Sequence, residues 1–100
     1  MPKLKPGVRL TGIRPETLLA VMVAERAYNQ AGHELVVTSC VDGKHGRGSL
    51  HYSGAAVDLR TRDVPSDAMQ EIVAEIREAL GADFDVILET DHLHIEYQAK

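Results

Sequence analysis

The run His92-Leu93-His94-Ile95-Glu96-Tyr97 alternates polar and apolar residues without a break. On a strand, His92, His94 and Glu96 share one face while Leu93, Ile95 and Tyr97 share the other. A period of two cannot be laid on a helix without mixing those sets. The chain is therefore expected to build a sheet with one apolar face. The opposite face carries two imidazoles and a carboxylate, turned toward solvent or a cleft.

The elements before it can be read from punctuation and period. Residues 1–14 hold Pro2, Pro6, Gly7 and Gly12 and read as an extended arm. Pro15 is a favoured first helical residue, with Glu16 complementing the helix dipole. Leu18, Leu19, Met22 and Val23 recur at helical spacing, and Gly32 supplies a stop. Residues 34–39 are β-branched and strand-like. From residue 40 to 54 the chain turns polar, punctuated by Gly43, Gly46, Gly48 and Gly54 and holding His45 and His51. A second strand is expected at Ala56–Arg60. Pro65-Ser66 opens a helix with Met69, Ile72, Val73, Ile76 and Leu80 on one face, and Gly81 closes it. Residues 84–89 and His92–Tyr97 complete the order as two strands. The closing strand pair suggests antiparallel pairing. The expected fold class is α+β, a small antiparallel sheet with helices packed on one face.

Length and charge narrow the functional classes. One hundred residues make one domain, spanning 1–100. With no Trp and one Phe, aliphatic side chains must fill the core, and a bound metal would help to hold it. A formal charge of −4 gives no footprint for nucleic acid, which needs a basic patch facing phosphates. Cys40 is the single cysteine and reads as a buried small hydrophobe. No segment has membrane-spanning length, and the first residues lack the apolar core of a signal peptide. The expectation is a chain made and folded in a reducing cytosol, with no membrane partner.

A second polar segment carries the chemistry. In Ser49-Leu50-His51-Tyr52-Ser53-Gly54-Ala55-Ala56-Val57-Asp58, His51 and Asp58 would stand roughly 23 Å apart on a straight strand. They can share a ligand only if the chain turns between them. Ser53-Gly54 supplies a turn, and Ala55 and Ala56 allow close backbone packing.

The pattern S-x-H-x-x-G-x-A-x-D, carried by Ser49, His51, Gly54, Ala56 and Asp58, is followed by H-x-H at His92 and His94. Together they resemble the zinc D-alanyl-D-alanine metallopeptidases. Those include D-Ala-D-Ala carboxypeptidases and dipeptidases and phage L-alanyl-D-glutamate endolysins, grouped with the hedgehog signalling domain in one hedgehog/DD-peptidase superfamily. The resemblance implies a zinc (Zn2+) peptidase acting on peptides of bacterial peptidoglycan. For the phage type, it implies action at a host cell wall.

Carried over position by position, the resemblance makes His51, Asp58 and His94 the zinc ligands. Two imidazoles and a carboxylate leave a fourth position for water, whose pKa zinc lowers to about 7. Ser49 is expected to contact substrate. The base that takes the water's proton is expected to be Asp91, three residues before His94, then His92, then Glu89. A zinc-stabilised binding module without turnover is the alternative. The arginine that supports the oxyanion in the carboxypeptidase branch is absent; Lys44, His45 and Arg47 are the cations nearby in sequence. Arg60 reads as a surface cation, with substrate contact as the alternative.

Overall fold

The computed structural model describes residues 2–40 and 55–99. Its elements are β1 (Lys3–Leu4), α1 (Pro15–Gln30), β2 (Val36–Ser39), β3 (Ala56–Arg60), α2 (Ser66–Leu80), β4 (Phe84–Leu88) and β5 (His92–Tyr97). The strands form one sheet in the order β1-β2-β3-β5-β4.

β2, β3, β5 and β4 pair antiparallel in turn, and residues 89–91 make the short connection between β4 and β5. The arm differs from expectation. Two of its residues form β1, which lies parallel to β2 and makes the sheet mixed. Lys3 and Lys5 donate their amides to the carbonyls of Leu35 and Val37 at 3.0 and 2.9 Å. A two-residue strand shows no period, so only the tertiary edge reveals it. The parallel return is made by the rest of the arm and α1, the crossover that a parallel pair needs.

One sheet face and both helices enclose the core. Val37, Val57, Leu59, Val86, Leu93 and Ile95 pack with Val21, Ala24, Tyr28, Ile72 and Ile76. α2 buries Met69, Ile72, Val73 and Ile76, the stripe its period predicts, with Leu80 partly buried at its end. Gly81 ends it at φ 79°, a conformation that costs glycine little. Arg77 then ties α2 to β4, its guanidinium donating to the Val86 carbonyl through Nε at 3.1 Å and Nη2 at 2.7 Å.

α1 buries a different set from the residues whose spacing marked it as a helix. Leu18, Leu19 and Met22 are exposed, at 43%, 51% and 60%, and the buried set is Thr17, Ala20, Val21, Ala24, Ala27 and Tyr28. The helix carries two apolar faces, and the one rich in alanine lets it approach the sheet closely. Tyr28 completes that contact, its hydroxyl donating to the Arg60 carbonyl at 3.0 Å. Burial pushes the phenol above its ordinary range, so the group remains a donor. Cys40 is fully buried. Among the described residues, no helix is long and apolar enough to cross a membrane.

Candidate metal centre

The face of the sheet away from the helices carries the chemistry. Alternation along β5 buries Leu93 and Ile95 completely and leaves His92, His94 and Glu96 half-buried on the opposite side. The β3 to β5 register sets Asp58 against His94, Arg60 against His92, and Ala56 against Glu96. Directly opposed residues hold their Cβ atoms about 4.5–5.5 Å apart, so a short aspartate can reach an imidazole across the ladder. On the other flank of β3 the register slips: Val37 pairs with Leu59, yet Ser39 pairs with Asp58. This bulge places Thr38 beside Asp58, whose carbonyl accepts the threonine hydroxyl at 3.3 Å. Bulges commonly re-aim side chains beside active sites.

The side chains form a line of alternating carboxylates and imidazoles. Asp91 Oδ1 is 2.7 Å from His92 Nδ1, and His92 Nε2 is 3.7 Å from Asp58 Oδ1. Asp58 Oδ1 is also 2.7 Å from His94 Nδ1, and His94 Nε2 is 2.8 Å from Glu96 Oε1. The two rings stand edge-on, with centroids 6.5 Å apart. The hydrogen bond to Asp58 is the chief cause of a raised His94 pKa, aided by Glu96 and opposed by burial. His92 holds the exposed Asp91 carboxyl below its ordinary range, chiefly through their hydrogen bond.

Asp58, His92 and His94 each offer a ligand atom within 4.8 Å of the others. Two imidazoles and one carboxylate form a donor set that suits zinc. The residues present therefore fit a small divalent ion.

Of the sequence-derived site, Asp58 and His94 come together, and His92 joins them. Asp91 turns its carboxylate to His92. Glu89 donates its backbone amide to the His92 carbonyl at 2.9 Å, and its side chain is exposed. His51 and Ser49 lie outside the described residues, as do Lys44, His45 and Arg47.

A cavity of about 560 Å³ opens beside the group, lined by Asp58, Asp91 and His92 together with Lys5, Thr38, Arg60, Arg62 and Thr90. Arg60 is half-buried and lines this cavity. Lys5 and Arg62 were not legible as site residues, because the arm and the loop after β3 meet here only in the fold.

Residues 9–97 match the family model of the hedgehog amino-terminal signalling domain. That span includes β3, β5 and every residue of the carboxylate and imidazole line. The match falls on the hedgehog side of the superfamily rather than on its D-Ala-D-Ala peptidase branch. No curated protein matches the chain.

Proposed function

The chain belongs to the hedgehog amino-terminal signalling domain family, within the hedgehog/DD-peptidase superfamily, and from that premise we propose that it is a zinc peptidase cleaving peptidoglycan stem peptides. The observation that carries the reading is the register pair Asp58 and His94, closed to 2.7 Å beside His92. Asp58 and His94 would hold the ion. The third ligand is His51 by the motif, or His92 by its place in the group. Bound there, zinc supplies Lewis acidity toward a peptide carbonyl and activates water.

The protein's own groups suit the remaining steps. Asp91 accepts from His92 Nδ1, which fixes the ring with its Nε2 lone pair turned toward Asp58. His92 Nε2 can then take a proton from the attacking water and return it to the leaving amine. Lys5, Arg60 and Arg62 give the cavity the positive charge that the missing family arginine would bring. Such charge stabilises the oxyanion as the carbonyl becomes tetrahedral.

A signalling-domain match favours one other reading, a metal-stabilised binding module that turns nothing over. Digesting purified peptidoglycan with zinc-loaded protein separates the two. New amines without new reducing ends support the peptidase, and mass mapping of the fragments then identifies the bond. Reducing ends without amines contradict it. Neither product, with zinc bound, favours the binding module.

A further inference from the structure

Glu96 has no part in the ligand set or in the proton transfer, yet its carboxylate is as withdrawn from solvent as His94. Their side chains are 16% and 18% exposed. Glu96 stands across the ladder from Ala56, whose methyl leaves room for the longer side chain to bend along the strand. Oε1 lies 2.8 Å from His94 Nε2, while Oε2 accepts the Gln98 amide at 2.6 Å. The carboxylate is thus held from one side and directed at the imidazole on the other.

A neutral imidazole carries one proton, and a carboxylate can only accept it. With metal bound, a proton on Nε2 donates to Glu96 and leaves the Nδ1 lone pair for the ion, where the other ligand atoms converge; without metal, Asp58 Oδ1, 2.7 Å from Nδ1, competes for the same proton. The opposite tautomer would set the Nε2 lone pair against the Glu96 oxygen and aim N–H into the metal position. We propose that Glu96 is the positioning residue of the centre: when metal is bound it holds the His94 ring through Nε2–H, with Nδ1 as the ligating atom. This inference rests on the metal reading above. Hydrogen-bonded carboxylates behind ligating histidines fix ring orientation and raise ligand basicity, and losing one typically costs about 10–100-fold in metal affinity.

The test compares wild type, Glu96→Ala and Glu96→Gln, each checked for a folded, dispersed amide spectrum. Long-range ¹H–¹⁵N correlation reads the His94 ring nitrogens in the zinc-loaded protein. Chelator competition gives the zinc Kd. Zinc-loaded wild type should show a protonated Nε2 and the metal-shifted nitrogen at Nδ1. Glu96→Ala should bind zinc about 10–100-fold more weakly. Glu96→Gln, whose amide oxygen still accepts, should recover most of that affinity. A metal-shifted Nε2 in wild type overturns the proposal. So does a Glu96→Ala protein that binds zinc with an unchanged Kd. Should wild type take up no zinc, the metal reading itself fails; zinc bound with an unchanged Glu96→Ala Kd overturns this proposal alone.

Discussion

Asp58 and His94 face one another as a register pair of β3 and β5, with Oδ1 and Nδ1 2.7 Å apart. Metal and proton therefore compete for one spot. Without metal, a proton bridges the two atoms. With metal, that proton must leave, since a ligating nitrogen offers its lone pair.

The pH dependence of the metal-free protein follows. His94 gains its partner on folding, and its pKa rises above the ordinary 6.5. Its contribution to stability is fully present below the ordinary value and fades as pH climbs through the raised one. The chelator-treated protein should lose melting temperature along that climb, and Asp58→Asn should flatten the profile. Zinc affinity should change in the opposite sense, strengthening as the proton departs. Thermal melts across the neutral range, with and without zinc, check both signs.

Asp91 and His92 act as a unit in this account. Removing a general base costs about 10²–10⁴ in rate, so His92→Ala should lose that much on metal-replete protein. Asp91→Asn should keep zinc and the fold while losing a smaller share, because the ring remains but its orientation does not. Glu89→Gln should be mildest. Zinc content decides between the two places for His92: retained metal in His92→Ala assigns it the base, and lost metal assigns it a ligand. Single-turnover rates paired with metal analysis of each variant make the comparison.

Tyr28 links the core to the site through the Arg60 carbonyl. Tyr28→Phe keeps the packing and strands a half-buried acceptor, which should cost about 1–2 kcal/mol. In a domain of this size each kcal/mol shifts the melting temperature by about 4–8 °C. An unchanged melt would show that the bond contributes nothing.

The parts of the fold legible in the sequence are those where one pattern has one reading. β5 alternates strictly, so Leu93 and Ile95 go inward and His92, His94 and Glu96 share the site face. α2 has a single apolar stripe and buries it. α1 offers two, and larger side chains at Leu18, Leu19 and Met22 suggested the wrong one. The smaller Ala20, Ala24 and Ala27 are the ones buried, because their short side chains let the helix lie close against the core. Within the site, Asp58 and His94 were marked by motif spacing. The partners of Asp91 and Glu96 were not, because strand register and rotamer decide which neighbour a carboxylate meets. Arg62 and Lys5 reach the cavity only through tertiary folding.

Metal content tests the central claim most directly. Protein purified without chelator should carry close to one zinc per chain by elemental analysis. Asp58→Ala and His94→Ala, prepared alongside it, should carry about a tenth of that or less and melt at lower temperature, since bound metal contributes to folding stability. Full zinc in both variants, or none in the wild type after incubation with the ion, would contradict a metal centre built on this pair.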